Sequence, residues 1–218
     1  MSTYAVSELV KEVKVLLDRN QETSGLLTPT DADTLSQSEL IQSKIVDAAR
    51  IILTDAPASM LDGKKFDGLK TAWAESNGAF VGTVYLPTDI IRLLNVKASD
   101  WNRSAEIITE EDDAYKVQCN RFGVRGNPER PIAALVHKSG ERFLELFTSK
   151  SNTATVSLTY VGMPSISEGN IDLPETLKDS IVYMAGYLTC VSLGDTDTAS
   201  GFLGVARKLA NIVEPRTS

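Results

Sequence analysis

The chain has 218 residues, of which 42% are hydrophobic and 23% charged, enough apolar material to bury a core in one domain, or in one domain with a long excursion. That ordinary apolar content, with no low-complexity run, excludes a disordered chain. The formal net charge of -7 argues against a dedicated nucleic-acid binder, which carries a basic face. The two cysteines, Cys119 and Cys190, are far apart and have no His or Cys at metal-ligand spacing. They are expected to be free, partly buried thiols of a protein made in a reducing cytosol. The first residues lack the basic and apolar stretches of a signal peptide. No run approaches the ~18 apolar residues that a membrane helix needs, so a soluble product with no membrane partner is expected.

Over residues 6–19 the apolar positions are Val6, Leu9, Val10, Val13, Leu16 and Leu17, a spacing that lays one stripe on a helix. Residues 20–34 are polar, with Gly25 and Pro29, and read as a loop. Ser36 and Glu39 then form a capping-box pair, in which hydroxyl and carboxylate each satisfy a free amide at a helix start. The helix that follows runs to about Asp55 and buries Leu40, Ile41, Ile45, Val46, Ala49, Ile52 and Leu53. Gly63, Gly68, Gly78 and Gly82 break the rhythm over 61–82. Inside that stretch, Asn77-Gly78 between apolar runs is a strong hairpin signal, because a type I′ turn needs positive φ at both central positions. The expectation is a projecting hairpin.

Pro87-Thr88-Asp89 stops the second strand, and another strand is expected over 92–97. Thr109 is expected to cap a helix whose first turn holds Glu110, Glu111, Asp112 and Asp113, where the helix dipole favours acids. That helix carries Tyr115 and Val117 and ends near Cys119. After a loop over 120–131, strands are expected at 132–137 and 142–147 around a turn containing Gly140, and at 155–161, where Val156, Leu158 and Tyr160 alternate with Thr155, Ser157 and Thr159. Pro174 is expected at the first position of a helix bearing Leu177, Ile181, Met184, Leu188 and Val191. Gly194 ends that helix, and Asp195 or Asp197 caps a last one, with Phe202, Val205, Leu209 and Ile212 as its stripe.

Most constellations that hint at chemistry have a plainer reading. Asp195-Thr196-Asp197-Thr198 matches a phosphatase nucleophile signature, but that chemistry needs the first Asp at the tip of a parallel strand, and a doubled helix cap fits better. The Asp62-to-Gly68 stretch lacks the third acid and closing Glu of a calcium loop. The acids at 110–113 point in different directions on a helix. His137 is the sole histidine, which leaves triads and His-rich metal sites little to use. No catalytic, cofactor-binding or metal-binding residue is expected, and the chain is not read as an enzyme. One local feature survives, a basic island of Arg121, Arg125, Arg130, Lys138 and Arg142 opposed only by Glu129 and Glu141. It is either a solvated loop or a contact for an acidic partner or phosphate backbone. The 61–80 excursion also carries Phe66, Leu69, Trp73 and Phe80, more apolar surface than an idle loop exposes. It is expected to be an arm that meets another subunit rather than part of the core.

Several motifs occur in order along the chain. Leu86-Pro87-Thr88-Asp89 is followed by Ile91 and Leu93, then Trp101 and Glu111-Asp112-Asp113-Ala114-Tyr115. After them come Asn127-Pro128, Pro131-Ile132-Ala133-Ala134 and Leu144-Glu145-Leu146-Phe147. Leu158-Thr159-Tyr160-Val161 with Pro164 and a final helix from Leu173-Pro174 with Tyr183, Ala185 and Tyr187 complete the series. In this order they resemble the ring-forming adaptors of short-tailed phages, of the kind called tail tubular protein A, and the similar ring proteins of crAss-like phages. The resemblance covers nearly the whole chain. The 61–80 insertion and the long polar loop after the first helix depart from it.

The resemblance implies an α+β fold in which terminal helices from both chain ends pack as a bundle around an inserted antiparallel sheet. The helical part would span about 5–56 and 172–213 and the β-rich part about 70–162, in a single adaptor domain over 1–218. It further implies a head–tail connector of the virion, without cofactor, that forms a dodecameric ring with itself. Its partners would be the portal, the next tail or ring protein, and genomic DNA passing through the lumen without sequence-specific binding. The alternative is a soluble, non-enzymatic protein-binding module acting through its hairpin.

Overall fold

At the start of the second helix, Glu39 N–H donates to Ser36 Oγ at 3.3 Å, while Ser36 N–H and Oγ–H both donate to Glu39 Oε2 at 2.7 Å. This is the capping box expected there, and the Ser36 hydroxyl followed by its backbone amide holds the Glu39 carboxyl below the usual carboxylate range. The computed structural model describes residues 1–17, 36–69, 71–76, 78–120, 125–138 and 140–213. The polar loop expected at 20–34, Arg121 and Asn77 lie outside the described residues. The fold is α+β, and the chain divides into two compact units, Met1–Asp62 with Met163–Ser218, and Gly63–Gly162.

The first unit is built on helices from both chain ends: α1 (Val6–Leu16), α2 (Gln37–Asp55), α4 (Lys178–Leu193) and α5 (Thr196–Leu209), numbered in chain order. On α2 the buried positions Ile41, Ile45, Ala48, Ala49, Ile52 and Leu53 form one stripe, as the spacing predicts. The central helix is α4, which packs against α1, α2 and α5. Its burial therefore extends around the cylinder, from Ser180, Ile181 and Val182 to Thr189 and Cys190. Gly194, at φ +79°, closes α4 in the left-handed conformation that glycine adopts without a Cβ penalty. Asp195 then caps α5 by accepting from Thr198 N–H at 3.2 Å.

A small sheet joins the two chain ends within this unit, in the order β1 (Ser2–Ala5), β11 (Asn170–Leu173), β10 (Ile166–Ser167). Thr3 Oγ–H donates to Asp172 Oδ1 at 2.7 Å across it. These strands are at most four residues long, though Asn170–Leu173 alternates exposed and buried, and they correct the expectation for Pro174. The strand continues to Leu173, Pro174 is extended, and a 3-10 turn over Glu175–Leu177 precedes α4 at Lys178.

The second unit holds two sheets among the described residues. One has the order β3 (Ala72–Ser76), β4 (Ala79–Tyr85), β8 (Glu141–Ser149), β7 (Ile132–Lys138), β6 (Glu106–Thr109). The other has β9 (Val156–Gly162) between β2 (Lys64–Leu69) and β5 (Ile90–Ala98). Their facing residues share one core: Val84, Leu144 and Leu146 from the first sheet, and Val96, Val156 and Leu158 from the second, with Trp101 between, its Nε1–H donating to the Thr148 carbonyl at 2.9 Å. The opposite face of the first sheet buries Ala134, Val136 and Phe147 with Ile108, packed by Tyr115 from α3 (Asp113–Cys119). Burial on both faces explains why Ile132-Ala133-Ala134-Leu135-Val136 is apolar without alternation.

Three expectations are corrected in this unit. The β3–β4 hairpin exists, with Ser76 opposite Ala79 and Gly78 at φ +75°, but it does not project. The other edge of β4 pairs with β8, so the hairpin is the end of a sheet. Thr109 is the last residue of β6 rather than a helix cap. Its N–H and hydroxyl donate to Asp112 Oδ2 at 2.7 and 3.0 Å, and the backbone bond, then the hydroxyl, lowers the Asp112 pKa. Finally, β6 pairs parallel with β7, with α3 in the connection, a pairing that four residues of mixed polarity did not announce.

Candidate functional site

Among its described residues, the 61–80 excursion is built into sheets rather than standing free of the core. Residues 64–69 are β2, paired antiparallel with β9 from Lys64 opposite Tyr160 to Leu69 opposite Val156. Leu69 and Trp73 pack on the shared core of the second unit. Trp73 lies opposite Gly82, and a Cβ built on Gly82 would stand 2.6 Å from the indole ring. Glycine there leaves the space that the ring occupies beside the neighbouring strand. Trp73 Nε1–H donates to the Ala154 carbonyl at 2.9 Å. Phe80 is half-buried opposite Glu75 and Ser149. Phe66 alone keeps a large open face, 45% exposed on β2. The surplus apolar surface read from the sequence is therefore mostly core.

The basic island is divided in the same way. Arg125 Nη1–H donates to Ser76 Oγ at 2.7 Å, and Arg142 Nη2–H to the Ile90 carbonyl at 3.0 Å; both guanidiniums tie loops or strands together. Arg130 is exposed in a turn where its backbone pairs with Asn127. Arg121 and the Lys138 side chain lie outside the described residues. Glu129 accepts from Asn102 Nδ2–H at 2.6 Å. Of the described residues of the island, Arg125 and Arg142 are thus held by neighbouring elements, while Arg130 is exposed.

Other titratable groups act as pins. Tyr115 O–H donates to Glu145 Oε2 at 2.9 Å, and burial first, then Cys119 and Glu145, holds the phenol above the usual tyrosine range. Lys178 Nζ–H donates to Glu12 Oε1 at 2.5 Å and stands 5.8 Å from the Tyr4 ring centroid. The hydrogen bond to Glu12 raises the Lys178 pKa. Among the described residues no three His, Cys, Asp or Glu side chains gather closely enough to hold a metal ion. None of the described helices is long and apolar enough to cross a membrane.

The outward apolar surface lies where sequence reasoning placed core. On α5 the buried residues are Ala199 and Ala206, followed by Ala210 just beyond the helix. Ser180 Oγ–H donates to the Ala206 carbonyl at 2.8 Å, and Phe202 rests on Tyr183 with centroids 6.1 Å apart. Small residues at this seam bring the helices close, and the stripe members Val205 and Leu209 are left 38% and 41% exposed. On α1, Val15 is 61% exposed. With Leu16, Val182 and Tyr183 it lines an open cavity of about 290 Å³, which Glu12 and Asp179 also line. The alanines at 199, 206 and 210, seven and four apart, were the available signal for an inner face other than the large-residue stripe.

Compared with known proteins, the chain matches no family model and no curated sequence.

Proposed function

We propose that this chain is a subunit of a ring-forming head–tail adaptor in a tailed phage, joining portal to tail and contributing to the wall of the DNA channel. The observation that carries the reading is the order of parts. Helices from both chain ends pack together in one unit, and a β-rich unit, Gly63–Gly162, is inserted between them, which is the arrangement the family resemblance implies. The uncovered aliphatic side chains on α1 and α5 fit a protein that works by presenting surfaces. The acidic balance of -7 fits a lumen through which DNA slides, because like charge keeps the phosphate backbone from adhering. The alternative, a binding module acting through its hairpin, has less to stand on because that hairpin is built into a sheet.

The test is electron microscopy of the purified protein, alone and mixed with purified portal. A closed ring, or a ring formed on the portal with matching symmetry, is the expected result. A monomer that stays free of the portal overturns the reading.

A further inference from the structure

Two features of the helical unit are complementary in shape and charge. The cavity beside α1 and α4 is apolar within, and its volume of about 290 Å³ is roughly twice the ~150 Å³ that accepts a benzene-sized guest. It therefore has room for a pair of aliphatic side chains. The charged residues of its lining, Glu12 and Asp179, are both acidic, and Glu12 is paired with Lys178. The exposed row on α5 has the opposite character. Val205 and Leu209, one turn apart, form a ridge, and Lys208 is exposed beside them in the last turn.

We infer that Val205 and Leu209 of one copy dock into the α1–α4 cavity of a second copy, with Lys208 facing Asp179. This rests on the ring reading above and names the surfaces through which the ring closes. The contact joins two different patches of the same chain, so each copy offers one ridge and one cavity. Such a head-to-tail contact propagates and closes into a ring at a fixed rotation, whereas a two-fold dimer needs a patch that matches itself. The ridge is aliphatic and the cavity lining mostly apolar, so docking removes both from water. The acidic lining selects the basic end of α5 over an acidic helix.

Disulfide trapping tests it on the full chain in a Cys119→Ser background, since Cys119 is the exposed native thiol and Cys190 is buried. Under mild oxidation, Val15→Cys mixed with Leu209→Cys is expected to yield a covalent dimer. Neither variant alone should do so, and the double variant should yield a ladder. Sedimentation adds a reversible arm: Asp179→Lys is expected to lose self-association, and Asp179→Lys combined with Lys208→Glu to regain it. Unfolding curves identify any variant that fails to fold. Absence of the mixed dimer, or equal trapping of either variant with itself, overturns the docking. If the wild type forms rings but the traps and charge reversals leave them untouched, this interface is wrong and the ring reading stands. If mixed dimers form while no ring appears alone or on the portal, the docking stands and the ring reading falls.

Discussion

The β-rich unit and the last helix of the other unit turn their large side chains in opposite directions. In Gly63–Gly162, Leu69 and Trp73 point onto a core shared by two sheets, and Gly82 makes room for the indole. In the helical unit, α5 turns alanines toward α4 and leaves Val205 and Leu209 outside. Each arrangement follows from the spacing its layers require. Facing sheets stand about 10 Å apart and need bulky residues to fill the gap. Two helices in close contact need small residues at the seam. Side-chain size alone therefore identifies the inner face of a strand better than that of a helix packed on a close neighbour.

The sharpest way to break this contrast is to remove what resembled an arm. Deleting residues 63–77 and bridging the gap with a short Gly-Ser linker removes β2 and β3 entirely. The second unit is then expected to lose its near-ultraviolet circular dichroism and protease resistance. If that unit stays folded, its aromatic residues are not core. Trp73→Ala is expected to cost about 3 kcal/mol in denaturant unfolding, at the lower end for a buried aromatic because the ring is only half-buried. Asp195→Ala, which removes the α5 cap, should cost about 1 kcal/mol. Leu209→Ser should change stability by less than about 0.5 kcal/mol, as surface substitutions do. A loss there comparable to that of Trp73→Ala would show that α5 buries its large residues after all.

The smallest expected effect is a pH dependence. Glu39 has its pKa lowered by Ser36 in the folded state, so the unfolded chain binds the proton more readily. Its contribution is full above the unfolded pKa and disappears as pH falls through the folded value. Thermal melts of Glu39→Gln should accordingly converge on the wild type in acid and separate from it toward neutrality. A constant separation across that range would count against the capping box as its source.

What was legible in the sequence was local. The capping box at Ser36, the left-handed stop at Gly194, the Asp195 cap and the Ser76-to-Ala79 turn each depend on a few adjacent residues, and each stands where expected. What was not legible depends on distant partners. Strand β1 has meaning only opposite β11, more than a hundred residues away, and β6 only beside β7. The pairing of Lys64 with Tyr160 makes a strand of residues that look like a glycine-rich loop, with Gly68 at φ +73° absorbing a register shift. The burial of Leu69 and Trp73 was hidden for a related reason. In sequence Trp73 and Leu69 stand among glycines, while their covering comes from Ala154 and the core behind the sheet.

The inserted unit also sets an order of events on the ribosome. The chain enters it after Asp62 and leaves it at Gly162, so α1 and α2 emerge about 120 residues before the helix that packs on both of them, which starts at Lys178. At roughly 5–20 residues per second that interval is on the order of 6–24 seconds. Ile41, Ile45 and Ile52 have no α4 to cover them during it, while the β-rich unit has all its strands and can close. The middle of the chain is therefore expected to mature first, with the N-terminal helices as the segment that chaperones attend.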